Sequence, residues 1–225
     1  MTGVMMRILI RTTTARSTRP VTVRPARIRI PHRPLRVLDF DCEARPLHWI
    51  SGDYVSKEIT AIAWAWCDRP DHVWCYLLGQ TTPQAMLEEF RRAYNEADLV
   101  TGHYIRGYDL PVINGSLTEY GLAPLGDKLT CDTKNDFIRR QGLSNSQENI
   151  GAMLGLSHKK VRMNQQSWRD ANRLTPTGIA ETRARVVGDV RQHIEMRRRL
   201  IELGYLGPAV LWKSGAHATP EPYTP

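Results

Sequence analysis

No stretch of this 225-residue chain approaches the roughly 18 consecutive apolar residues that a membrane-spanning helix needs, and the N-terminus lacks the apolar block of a secretory signal. The expectation is a soluble protein with no membrane partner that is not exported. Cysteine is scarce: Cys42, Cys67, Cys75 and Cys131 are too few and too scattered for a disulfide framework, and no two form a Cys-x-x-Cys zinc pattern. That suits a cytoplasmic location, with the four thiols acting as small buried hydrophobes. No internal repeat is visible, which excludes solenoids and propellers. Acid is absent from the first 36 residues, which hold nine arginines.

What remains is 41% hydrophobic and 24% charged, enough for one domain with a core. The net charge of +8 is laid out in blocks: +9 over residues 1–36, −8 over 37–133, +8 over 134–199 and −1 beyond. An acidic half followed by a basic half suits a metal-dependent enzyme acting on a polyanion, with carboxylates for cations and arginines and lysines for phosphates. Solvated surface faces also produce such blocks. Composition divides the chain into a basic Arg/Pro-rich arm over 1–34, a domain over 35–206, and a loose tail over 207–225 marked by Pro208, Pro220, Pro222 and Pro225.

Within the domain, Leu35 to Ala44, Ile59 to Cys67 and Val73 to Leu78 read as three strands joined by short turns. Thr82-Pro83 opens a helix carrying Met86, Phe90, Ala93 and Ala97. A short strand at Leu99 to Thr101 precedes a helix marked by Leu110, Ile113, Leu117 and Tyr120 and ended by Gly121, and Lys128 to Cys131 reads as a fifth strand. Helices follow over Ser146 to Leu154 and Thr177 to Leu203, the latter with Val187, Val190, Ile194 and Ile201 on one stripe. The segment containing His158-Lys159-Lys160 and Gln165-Gln166-Ser167-Trp168 is ambiguous between helix and loop.

Three acidic runs carry the chemistry. In Val37 to Ala44, Asp39, Asp41 and Glu43 alternate on one face of an otherwise apolar strand, where they repel unless cations or protons neutralise them. An edge strand displaying acids to solvent would look the same. In Val100 to Ile113, a strand and a glycine-bearing loop lead to Asp109 at a helix start, a position that also favours an acid for capping reasons alone. In Val186 to Glu195, Asp189 borders the apolar stripe of the last helix, where an ion pair with an arginine is the plainer account.

In order and spacing these runs resemble the DEDD superfamily of DnaQ-like 3′→5′ exonucleases, over most of residues 35–205. Phe40-Asp41-Cys42-Glu43 matches its first motif, Tyr108-Asp109 its second and Asp189 its third, while Thr130 to Thr133 and Asn149 to Leu156 look like the strand end and helix between them. The resemblance implies an α/β, RNase H-like fold: a mixed five-stranded sheet of order 3-2-1-4-5 flanked by helices. It implies that Asp41, Glu43, Asp109 and Asp189 hold two Mg²⁺ or Mn²⁺ ions, since oxygen ligands select hard cations. Hydrolysis of DNA 3′ ends, single-stranded by preference, in replication or repair follows from it, with RNA as the alternative substrate. A catalytically silent nucleic-acid-binding or polymerase-associated subunit is the rival. The closeness to free-standing relatives in actinobacterial phages suggests a viral origin, a host-cytoplasmic location, and a replication polymerase or other replisome protein as partner.

The chain departs from the family where a general base is usual: the positions four and five before Asp189 are Arg185 and Ala184. His193, one helical turn after Asp189, is the candidate base. His103 and Tyr104 are further candidates. Tyr104, Tyr108, Arg185, Lys159 and Lys160 are the candidate substrate contacts, the tyrosines for stacking and the cations for phosphate, with Trp168, Arg139, Arg140, Arg162 and Arg183 behind them.

Overall fold

The computed structural model describes residues 33–47, 55–138 and 141–215. Apart from Arg33 and Pro34, the basic arm lies outside the described residues, as do Arg139, Arg140 and the end of the tail. In chain order the elements are β1 (Val37–Pro46), β2 (Lys57–Trp66), β3 (Trp74–Leu77), α1 (Pro83–Glu96), β4 (Leu99–Gly102), α2 (Asp109–Glu119), β5 (Lys128–Asp132), α3 (Gln147–Met153), α4 (Gln165–Asn172), α5 (Pro176–Glu202) and β6 (Val210–Trp212).

The period-two pattern of β1 decides the layering. Leu38, Phe40 and Cys42 are buried in one cluster with Met86, Phe90 and Tyr94 of α1 and Leu110, Ile113 and Leu117 of α2. The alternate residues, Asp39, Asp41 and Glu43, take the opposite face. On that face β2 supplies Ala65, Ala63 and Ala61, in register with those three acids. The alanines cluster with Val186 and Val190 of α5. Small side chains let the helix axis come close to the sheet, which brings α5 to the acids.

The sheet is mixed and runs β3-β2-β1-β4-β5-β6. β1 pairs antiparallel with β2 and parallel with β4, and β5 pairs parallel with β4. The predicted five-strand order is therefore present, and the α/β architecture is consistent with an RNase H-like fold. A sixth strand corrects the reading of a loose tail: Val210–Trp212 pairs antiparallel with β5 and covers an edge that would otherwise expose unpaired backbone groups. Three apolar residues among prolines are too short a run to show periodicity.

The helix starts follow capping chemistry. Thr82, Ser146 and Thr175 cap α1, α3 and α5 through side-chain oxygens, and proline follows directly at the start of α1 and α5. The ambiguous segment contains α4, whose start is fixed by Asn164 Oδ1 accepting the Ser167 N–H at 2.9 Å. The stripe predicted on α5 needs correcting. Its buried face runs through Val186, Asp189, Val190, Gln192, His193, Met196 and Leu200, while Ile201 is 51% exposed. An apolar count passes over the polar residues that make up much of this face.

Candidate metal centre

β1 carries Asp41 and Glu43 to the middle of the sheet, and α5 crosses over them with Asp189. One carboxylate oxygen from each of the three lies within 4.8 Å of the other two. Asp189 is only 1% exposed, and its backbone carbonyl accepts the Gln147 Nε2–H at 2.8 Å, which ties α3 to the site. Asp109, 3% exposed at the first turn of α2, is held to β1: its Oδ1 accepts the Cys42 backbone N–H at 3.1 Å. Of the four predicted ligands, three come within 4.8 Å of one another; the fourth, Asp109, is outside that group, held to β1 at Cys42 and close enough for its charge to act on Asp41.

Burial of these carboxyls dominates their titration. It pushes Asp41 well above the usual carboxylate range, and the charges of Asp109, Asp189 and Glu43 push it further. Asp109 is raised to about 6, chiefly by burial and against the opposing hydrogen bonds from Cys42. Glu43 and Asp189 are raised by burial and pulled back by Arg185 and Lys160.

Those two cations are among the predicted phosphate contacts, and here they sit on the acids. Arg185 donates to Glu43, lies 4.0 Å from Asp189 Oδ2, and also donates to the Val161 carbonyl at 3.1 Å. Its guanidinium is 5.0 Å from the ring centre of Trp168. Lys160 Nζ is 2.8 Å from Asp189 Oδ2. Lys159 is exposed. Tyr108 is half-buried, with Lys57 over its ring at 4.2 Å. Tyr104 is exposed, under Lys134 at 3.8 Å.

His193 is placed differently from a base serving the acids. It is buried, with Nδ1 2.6 Å from Asp39 Oδ2 and Nε2 2.9 Å from Thr133 Oγ1. Both ring nitrogens are thus taken by groups other than the four acids. Thr133 Oγ1 is also 3.0 Å from His103 Nδ1, so a buried polar chain runs Asp39, His193, Thr133, His103. A consistent proton assignment has each histidine donate from Nδ1, with Thr133 donating to His193. Burial lowers His103 to about 3, too low for efficient proton abstraction near neutral pH. Helical spacing alone could not reveal that Asp39, and not Asp189, would engage His193.

Asp132 is a structural anchor that sequence reasoning left without a role. Its carboxylate accepts the backbone N–H groups of Tyr104 (2.9 Å), Arg106 (3.1 Å), Lys134 (3.0 Å) and Asn135 (3.2 Å). These bonds stitch the loop before α2 to the end of β5 and hold Tyr104 at φ 74°, a conformation costly for a bulky residue. The loop starts at Gly102, where a Cβ would lie 2.6 Å from the Phe40 carbonyl, so glycine is required for the loop to leave the sheet beside β1. Asp109 reaches β1 by this route.

The donor set is carboxylate oxygen throughout, and Asp189 Oδ1, buried, has no hydrogen-bond partner among the described residues. Such a cluster suits a hard divalent cation.

No family model matches the chain, and no curated protein matches it in sequence. Solved structures do match. A family B DNA polymerase from the hyperthermophilic archaeon Pyrobaculum calidifontis superposes with a TM-score of 0.57 at 16% identity, over 75% of this chain. The aligned region is 25% of the polymerase, so the chain spans about a quarter of that protein's length. The likeness is one of fold.

Proposed function

We propose that this protein is a metal-dependent 3′→5′ exonuclease that hydrolyses phosphodiester bonds at DNA 3′ ends, preferentially single-stranded, in replication or repair. The observation that carries the reading is the meeting of Asp41, Glu43 and Asp189, from opposite ends of the chain, within 4.8 Å. A fold shared with part of a DNA polymerase supports it. Asp41, Glu43 and Asp189 would hold one Mg²⁺ or Mn²⁺, and Asp41 with Asp109, whose charges act on one another, would hold the second. Ions bound there supply an activated water and stabilisation of the leaving 3′ oxygen.

The chain's own residues do the rest. The Cys42 N–H fixes the orientation of Asp109, and Gln147 fixes the backbone at Asp189. Lys160 and Arg185 offset the charge of the acids and stand beside them, placed to turn toward the substrate phosphate once the carboxylates are engaged. With both His193 nitrogens bonded elsewhere, this reading assigns no protein side chain as the base.

The same two ion pairs favour a second reading, a silent nucleic-acid-binding subunit whose own cations satisfy its acids. One experiment separates them. The protein is incubated with 5′-labelled single-stranded DNA and RNA in Mg²⁺ or Mn²⁺, with and without chelator, beside Asp41→Ala. A chelator-sensitive ladder shortening from the 3′ end, reduced by about a thousandfold or more in the variant, is the expected result. Binding without a ladder supports the silent subunit, and a ladder on RNA alone changes the substrate.

A further inference from the structure

A cleft of about 780 Å³ opens next to the acidic cluster, bounded by α3 and by the segment 155–162. Gly151 and Ala152 form one wall; Lys159, Lys160 and Arg162 line the other. The floor is Gln192 of α5, one turn beyond Asp189. α3 lies so close to it that a Cβ on Gly151 would be 2.5 Å from Gln192 Nε2. Lys160 joins the cleft to the metal centre, since the same side chain lines the cleft and reaches Asp189 at 2.8 Å.

Two independent features indicate an occupant. The first is charge: three cationic side chains within four residues face one acid, Glu148, which Arg162 already engages. The second is room: about 780 Å³ is more than a lone phosphate fills.

We infer that this cleft seats a nucleotide of a single-stranded nucleic acid next to the one being hydrolysed, its phosphate held by Lys159 and Arg162. The continuity through Lys160 leads a strand onward to the acids. The inference rests on the nuclease reading for the identity of the neighbouring position.

The test measures fluorescence anisotropy of a 5′-fluorescein single-stranded DNA oligonucleotide in chelator, so that no hydrolysis intervenes, as salt is varied. Lys159→Glu is compared with Arg92→Glu on α1, and the double variant Lys159→Glu/Arg162→Glu with Arg92→Glu/Lys213→Glu, each a charge-matched change at exposed side chains outside the cleft. Lys159 is exposed and the Arg162 side chain is 86% exposed, so neither change disturbs the core. The double variant should weaken binding about tenfold or more and reduce the slope of log K against log salt by about 1.4, at roughly 0.7 per phosphate contact. Affinity and slope equal to those of the charge-matched controls would overturn the inference. Hydrolysis is scored separately with Mg²⁺ or Mn²⁺. Weakened binding in the Lys159/Arg162 variants of a protein whose wild type never hydrolyses would remove the nuclease and keep the cleft, whereas hydrolysis by the wild type with unaltered binding in the variants would do the reverse.

Discussion

Asp109 shows how one buried carboxyl makes the stability of the metal-free protein depend on pH. Its ordinary value of 3.8 is raised to about 6 in the fold, mainly by burial. Between those values the native state binds more protons than the unfolded state, so stability falls as pH rises through about 4 to 6. Asp41, Glu43 and Asp189 are raised too and act in the same direction. Thermal melts in chelator should therefore show a falling midpoint across this window, and Asp109→Asn should flatten the fall. A midpoint that rises with pH there would contradict the assigned environments. The surroundings of Asp109 were not readable from its position at a helix start, because the Cys42 N–H that holds it is 67 residues away.

At the scale of elements, the pairing of β1 with β2 matters more than either strand alone. Ala63 is fully buried, opposite Asp41, and packs in the cluster with Val186 and Val190. Ala63→Leu should drive α5 away from the sheet, costing about 1–3 kcal/mol as overpacking. Because Asp189 rides on α5, the variant should also lose divalent-cation affinity, measured calorimetrically, beyond what its lower melting point explains. Retained affinity would show that the helix position is not what assembles the cluster. The alternation of β1, the cap of α1 at Thr82-Pro83 and the start of α3 at Ser146 were legible in sequence, whereas the cap of α5 at Thr175 was not, the helix being expected from Thr177. α4 and β6 were not, the first because it is eight residues with little apolar pattern and the second because its three residues acquire meaning only beside β5.

Over the whole molecule, the charge blocks of the sequence fold onto each other. Asp41, Glu43 and Asp109 come from the acidic block and Lys160, Arg185 and Asp189 from the basic one, so the centre of the site is where the two blocks touch. Among the described residues no helix is long and apolar enough to cross a membrane. If the cluster binds divalent cations only in the folded state, Mg²⁺ or Mn²⁺ should stabilise the fold by mass action, by about 2.7 kcal/mol at a hundredfold excess over Kd, and so raise the melting point. Asp189→Asn should abolish most of that gain. An equal gain in the variant would place the cation elsewhere.

The sequence by itself determined the alternation that puts three acids on one face of β1 and the succession of elements up to β5, because side-chain periodicity and turn chemistry are local; the strand order and the grouping of the four acids were expected only from the resemblance to DEDD exonucleases. Only the tertiary structure decided which neighbours those groups keep: that His193 goes to Asp39 and Thr133, that Arg185 and Lys160 sit on the acids, and that Gln192 floors a cleft. Partners of this kind are set by the approach of α5 to the sheet across more than a hundred residues, and buried polar groups must take whichever donors and acceptors that approach brings within reach.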